Sequence, residues 1–212
     1  MAGNREGLTW GGIAAISLVA TLLTFAAPAR CATPNCRQTG RALRESLEVV
    51  VEATISGHSA EVSGAAERAA AWWGTNHQAL RHGPEAARLM GAMVASARKG
   101  DSREAAHSAI RLGVESFKWC PGKPRTDDHL MLLDFVGMTG WLRAHGASVD
   151  WPPGVQAATE SLARQLAARG KAALATQLRS AIRDTIATTA NGDVKPSLRL
   201  LDLVDVVEKA LA

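Results

Sequence analysis

The chain has 212 residues, 47% of them apolar, which allows one large domain or two small ones with a real hydrophobic core. Aromatic residues make up only 4% and Tyr is absent, so aliphatic side chains and Ala have to fill that core. The net charge is +4, and no run of five like charges concentrates it. This composition argues against nucleic-acid binding, which needs a concentrated basic face.

The first element is an uncharged, largely apolar stretch at residues 8–29. Ala27-Pro28-Ala29 closes it with a small residue on each side of Pro, a pattern typical of signal-peptidase cleavage sites. We therefore predict a cleaved export signal at residues 1–29 and a periplasmic or secreted protein. The alternative is an inner-membrane anchor, because the uncharged stretch is long enough to span a bilayer.

The chain has three cysteines, all of them after this segment: Cys31, Cys36 and Cys120. Thiols in an oxidising compartment tend to pair, and an odd number leaves at least one free, intermolecular or removed. Cys31 and Cys36 could close a short loop. Alternatively, Cys36 ties the mature N-terminus to Cys120 at the end of a predicted helix, and this second disulfide is the one that we favour.

Helical spacing of apolar residues runs through the rest of the chain, with no long alternation typical of strands. The eight predicted helices are Arg41–Ser56, Ala60–Trp73, Pro84–Lys99, Ser102–Trp119, Asp127–His145, Gly154–Arg169, Lys171–Ala190 and Pro196–Leu211. A loop rich in Pro and Gly at residues 120–125 separates the hairpins of residues 30–120 from those of residues 126–212. The two groups form either separate subdomains or one continuous domain.

A Gly-x-Ser-x-acid pattern recurs at Gly57, Gly100 and Gly146. Gly ends a helix in the left-handed conformation, Ser accepts a hydrogen bond at the next N-terminus, and the acid lies in the first turn. The pattern indicates successive helical hairpins. We predict an all-α globular bundle, and the alternative is an α-solenoid built from true repeats.

The turn at residues 97–101, followed by an Ala-rich helix that ends near Cys120, resembles the last helical hairpin of the class II c-type cytochromes. The resemblance covers residues 86–120 and implies a four-helix bundle topology. Haem attachment in that family needs a second Cys and an adjacent His, whereas Cys120 is followed by Pro-Gly-Lys-Pro. The resemblance therefore does not extend to haem binding, and no cofactor is predicted.

Metal-binding and catalytic patterns are sparse. No two of the six histidines are three or four residues apart, the spacing that places two ligands on one helix face. No metal site is predicted, and His107, Cys120 and His129 are weak candidates only. Nucleophile elbows, phosphate loops, dinucleotide fingerprints, zinc-protease motifs and EF-hand loops do not occur.

The polar and aromatic clusters of the sequence can be explained by helix capping and core packing. The densest polar cluster surrounds Asp127 and Asp128, and an N-terminal cap with its counter-charges accounts for it. Trp73 and Trp119 are expected to be core anchors that pack on each other. His77 and His82 are five residues apart and would point away from each other on a helix.

The sequence thus predicts an exported helical protein-interaction or scaffold module that binds a protein partner, with membrane contact only if the N-terminal segment is retained. The first alternative is a metal- or small-ligand-binding helical bundle of the periplasm. The second alternative is an enzyme of unrecognised type, although the missing motifs favour a non-enzyme.

Overall fold

A computed structural model describes residues 35–120 and 122–212, and its regular elements in these ranges are all helical. The predicted all-α class is confirmed. The eight α-helices are α1 (Cys36–Ile55), α2 (Ser59–Asn76), α3 (Pro84–Arg98), α4 (Ser102–Ser116), α5 (Thr126–Ala144), α6 (Val155–Ala168), α7 (Ala172–Thr188) and α8 (Lys195–Leu211). Short 3₁₀ turns at His77–Ala79 and Thr189–Asn191 follow α2 and α7.

Helix α1 begins five residues before its predicted start at Arg41. The Asn35 side chain caps it by accepting a hydrogen bond from the Gln38 amide at 2.9 Å. Gly40 lies inside the helix, and a Cβ there would make an ordinary van der Waals contact of 3.6 Å with the Cys120 sulfur. Helix α1 therefore packs directly against the segment that follows α4.

The first two Gly-x-Ser-x-acid patterns form the predicted hairpin turns, with Gly57 at φ 74° and Gly100 at φ 78°. The role predicted for Ser is wrong, because Ser59 and Ser102 are already the first helical residues. In the second turn the cap is Asp101, whose carboxylate accepts from the Glu104 amide at 3.1 Å.

The third occurrence of the pattern does not join a hairpin. Gly146 ends α5 with φ 86°, but α6 begins only at Val155. The intervening Trp-Pro-Pro-Gly segment explains the delay, since two consecutive prolines cannot supply the amides that a helix needs. The α6–α7 turn is instead made by Gly170, which has φ 74° and lies outside the recurring pattern.

The eight helices form two groups of four, and each group closes on itself. In the first group α1 packs against both α2 and α4, and in the second group α5 packs against both α6 and α8. A solenoid would leave its first and fourth helices apart, because each repeat contacts only its neighbours. The predicted globular bundle is therefore the correct alternative, and the described chain belongs to one compact unit.

Helix α5 is buried on all sides and contributes to both hydrophobic cores. Phe135 and Met138 pack in the core of α1–α4, whereas Leu133 and Val136 pack in the core of α5–α8. Gly137 lets α8 approach α5, because a Cβ there would come within 2.7 Å of Leu201. This all-round apolar surface makes α5 the shared central helix of the fold.

A disulfide bond joins Cys36 at the start of α1 to Cys120 after α4, which is the pairing that the sequence favoured. The predicted export segment and Cys31 lie outside the described residues. Among the helices that the structure describes, none combines the length and apolar character needed to span a bilayer.

Candidate functional site

A cavity of about 240 Å³ lies where α1, the end of α4, and the starts of α5 and α6 meet. Its wall is mainly apolar, and Arg37, Arg44, Ser116 and Asp128 form a connected polar group within it. The apolar lining includes Val114, Phe117, Pro124, Leu132, Pro153 and Ala158, and the polar lining includes Arg37, Arg44, Ser116, Lys118, Asp128 and His129. An apolar cavity with a few convergent polar groups is the usual form of a small-molecule site.

Arg44 is the central polar residue of this cavity, and its side chain is only 4% exposed. Nη2 donates to Oδ1 of Asp128 at 3.1 Å, and Nη1 makes a long hydrogen bond of 3.4 Å to the Ser116 hydroxyl. The guanidinium lies 4.3 Å from the centre of the Phe117 ring. Its Nε has no hydrogen-bond partner among the described residues.

Burial lowers the pKa of Arg44 to about 10, although the negative charge of Asp128 opposes this shift. The side chain therefore remains a cation at neutral pH while it is removed from bulk water. A buried cation with an unused donor is costly, and an added acceptor would reduce that cost.

The local fold holds Asp128 in place. It lies in the first turn of α5, and its Oδ2 accepts a hydrogen bond from the Arg125 amide at 2.9 Å. The positive end of the α5 dipole favours a carboxylate here. The predicted N-terminal cap is thus present, but the same carboxylate also pairs with Arg44 from α1.

Arg37 brings a second cation to the cavity wall. Its Nη1 is 4.0 Å from Asp128, and its Nη2 donates to the Lys123 carbonyl at 3.1 Å. The adjacent Cys36–Cys120 disulfide fixes the start of α1 against this loop. The cavity therefore has a polar side built on a covalently fixed corner of the fold.

His129 lies beside Asp128 in α5, and its buried Nδ1 has no hydrogen-bond partner in the described part of the chain. Burial lowers the pKa of His129 below 6.5, partly offset by the Asp128 carboxylate. The ring is therefore neutral at neutral pH and can donate or accept a hydrogen bond, depending on its tautomer.

The weak metal candidates do not come together. The Cys120 thiol is used in the disulfide, and His129 lines the cavity. His107 is directed to Glu104 at 3.4 Å and lines a different cleft, with Glu85. Within the described residues, no group of three or more His, Cys, Asp or Glu side chains could hold a metal ion.

A cluster of four aromatic rings lies near the disulfide. Trp73 and Trp119 pack as predicted, with ring centres 5.8 Å apart. His77 and His82 do not share a helix, so the condition of their predicted separation is not met, and their ring centres lie 5.3 Å apart with the planes tilted by 54°. Helix α2 ends at Asn76, and the following 3₁₀ turn redirects the chain.

A second charged cluster lies where α1, α5 and α8 approach one another, and we call it the acidic seam. It consists of Glu48 and Glu52 from α1, Asp134 from α5, and Asp205 and Glu208 from α8. Burial, followed by mutual repulsion, raises the pKa of Glu48 to about 7 and raises that of Asp134 well above its usual range. No Lys or Arg among the described residues forms a salt bridge with these five side chains.

Sequence reasoning recognised Asp128 only as a helix cap and missed Arg44. A signal for Arg44 was present, since it falls at helical spacing with the buried Leu47 and Val51. A charged residue inside an apolar stripe indicates a buried partner elsewhere in the fold. That partner lies 84 residues away, so its identity could not be read locally.

No family model, curated protein or solved structure matches this chain. The assignment of the functional site therefore rests on the geometry of the cavity alone.

Proposed function

We propose that this protein is a helical binding domain for a small organic anion, which occupies the Arg44 cavity. The observation that carries the proposal is Arg44 itself, a cation only 4% exposed that lines a mainly apolar cavity and whose Nη1 makes only a long hydrogen bond of 3.4 Å to Ser116. An anion supplies a stronger acceptor for Nη1, and the apolar lining contacts the rest of the molecule.

The energetics support a bound ligand. A buried charge is costly to desolvate, and the Arg44 side chain is only 4% exposed with one carboxylate partner. A ligand that accepts a hydrogen bond from Arg44 recovers part of this cost, whereas an apolar molecule recovers none. The cavity is therefore better suited to a polar, anionic ligand than to a neutral hydrocarbon.

Thermal unfolding of the oxidised full-length chain with millimolar small organic anions tests this function. Binding to the folded state raises the melting temperature. Ala157 lies at the cavity wall and is exposed, so Ala157→Leu narrows the site without disturbing the core. The exposed Ala173 on α7 gives the matched control Ala173→Leu.

We expect at least one organic anion to stabilise the wild type and the Ala173→Leu variant, and to stabilise Ala157→Leu much less. A melting temperature that no anion raises would contradict the proposed function. Equal stabilisation of both leucine variants would place binding outside the cavity and would contradict it too.

We also propose that the domain acts outside the cytoplasm. The Cys36–Cys120 disulfide supports this location, because structural disulfides persist in oxidising compartments. Mass measurement of the protein from its own host, without reductant, would test it by reporting both the disulfide and the N-terminal residue. Reduced cysteines together with a retained N-terminus would contradict an exported, processed protein.

The protein-interaction role expected from the sequence stays a prediction. Among the described residues, the exposed large apolar side chains belong to three different helices, so they do not by themselves define a docking face. They are Val49 on α1, Ile186 on α7, and Leu198 and Val206 on α8.

A further inference from the structure

We infer that the ligand of the cavity is a compact monocarboxylate with an apolar body, and that Arg44 recognises its carboxylate. This inference rests on the proposed function and makes it specific. It distinguishes a singly charged organic acid from a phosphate ester, a dicarboxylate and a neutral molecule of the same shape.

The charge of the polar wall indicates one negative charge. Arg37 and Arg44 are both cations, and Asp128 compensates one of them. Lys118 also reaches the wall, but its ammonium is paired with Glu115 at 2.7 Å. One positive charge therefore remains, which a monoanion neutralises and a dianion would overcompensate in a largely apolar space.

Arg44 keeps hydrogen-bonding capacity beyond its pair with Asp128. Both carboxylate oxygens of Asp128 are already engaged, one by Arg44 and the other by the Arg125 amide. The free capacity of Arg44 lies at Nη1, whose bond to Ser116 is long at 3.4 Å. An incoming carboxylate would use this capacity without displacing the Asp128 pair.

The remaining wall determines the body of the ligand. Phe117, Leu132 and Ala158 contribute apolar surface to the cavity lining. A volume of about 240 Å³ accommodates a molecule the size of a substituted benzene ring or a branched short-chain acid, but not a nucleotide or a long lipid. An inorganic anion would fill the polar side and leave the apolar side unoccupied.

Isothermal titration calorimetry with matched probes tests the inference on the oxidised full-length chain at pH 8. The probes are benzoate with benzamide, 3-methylbutanoate with its amide, and phenyl phosphate as a dianion of similar body. Each carboxylate and its amide share one shape and differ in charge. We expect one of the acids to bind about tenfold or more tightly than its amide, and more tightly than phenyl phosphate.

The variant Arg44→Lys keeps the positive charge but removes the guanidinium donors. We expect it to weaken carboxylate binding about tenfold and to leave amide binding unchanged. Arg41→Lys is the matched control, one turn earlier on α1 and outside the cavity lining, and it should bind like the wild type. The wild-type comparison of acid and amide remains decisive even if Arg44→Lys does not fold.

The outcomes separate the two proposals. Equal binding of acid and amide, or tighter binding of phenyl phosphate, overturns the monocarboxylate inference while ligand binding in the cavity stands. Binding of benzoate that Arg44→Lys leaves unchanged removes Arg44 as the recognition residue. If no probe binds and no organic anion stabilises the protein, the proposed function falls together with this inference.

Discussion

The two ends of α1 carry opposite charges, and these charges are neutralised in different ways. Its first turns present Arg37, Arg41 and Arg44, and the last two pair with aspartates at the start of α5. Its later turns present Glu48 and Glu52, which face further acids instead of cations. The positive charges of the basic end are neutralised by aspartates of α5. The negative charges of the acidic end are reduced only because raised pKa values favour the protonated carboxyl groups.

This distribution also opposes the dipole of α1. Cations at a helix N-terminus and anions toward its C-terminus are both unfavourable. At the N-terminal end the Cys36–Cys120 disulfide and the buried pair between Arg44 and Asp128 offset that cost. The comparison teaches that the stability of the basic end depends on specific partners, and that of the acidic end depends on pH.

Removal of the disulfide should have the largest effect. The bond closes a loop with a sequence separation of 84, and loop-closure entropy of that length corresponds to about 4 kcal/mol. We expect urea unfolding of the double variant Cys36→Ser, Cys120→Ser to show a loss of this order. Reductant should lower the stability of the wild type and leave that of the variant unchanged.

Hydrogen exchange sharpens the same prediction. Loss of the bond should raise exchange first at the start of α1 and in residues 117–120, because these segments are the ones that it joins. The amides around Glu48 and Glu52 should keep their protection. A uniform loss of protection along α1 would show that the two ends do not differ in the way that we describe.

The variant Arg44→Met should come next. It leaves the partly buried Asp128 without its partner, and breaking one side of a buried ion pair typically costs about 3 kcal/mol. Urea unfolding at pH 7 measures this change. The double variant Arg44→Met, Asp128→Asn should lose less than the sum of the two single variants, since it leaves no unpaired charge. Additive losses would contradict a coupled pair.

The acidic seam should make stability depend on pH in a definite direction. The folded state raises the pKa of Glu48 to about 7 from 4.5, so it binds the proton more tightly than the unfolded chain. Stability should therefore rise as the pH falls from about 8 to 4.5, and this contribution should be constant below that range. Chemical unfolding measured across this range checks the sign.

The variant Glu48→Gln mimics the protonated state. At pH 8 we expect it to stabilise the fold by about 1–2 kcal/mol, and at pH 5 by much less. The exposed Glu61 on α2 provides the control Glu61→Gln, which should leave the pH profile unchanged. Destabilisation of Glu48→Gln at pH 8 would show that Glu48 has a compensating partner.

Local chemistry explains which features the sequence could predict. The start of α3 at Pro84 was correct because Gly-Pro-Glu defines a helix N-terminus by itself. At Gly146 the predicted left-handed helix end was correct, but the predicted role of Ser148 at the next N-terminus was wrong, because the prolines that follow delay α6 to Val155. The Cys36–Cys120 pairing could be proposed because Cys is rare in this chain.

The two charged regions of α1 could not be predicted in the same way. Arg41, Arg44 and Glu48 are all ionisable and lie within two helical turns. Nevertheless, Arg44 is buried against Asp128, Arg41 is exposed, and Glu48 faces acids from α5 and α8. Their environments are set by tertiary packing, which composition and periodicity do not specify.

The variant Arg41→Met should have the smallest effect and is therefore the sharpest comparison with Arg44→Met. Its ion pair with Asp127 is the shorter of the two, 2.6 Å against 3.1 Å, but the Arg41 and Asp127 side chains are 46% and 61% exposed. An exposed pair gains little over water, so we expect a loss of at most about 0.5 kcal/mol in urea unfolding. If distance rather than burial governed these pairs, Arg41→Met would be the more damaging change. A loss that matches that of Arg44→Met would therefore show that the first turns of α1 act as one charged surface, and that Arg44 is not distinguished by its burial.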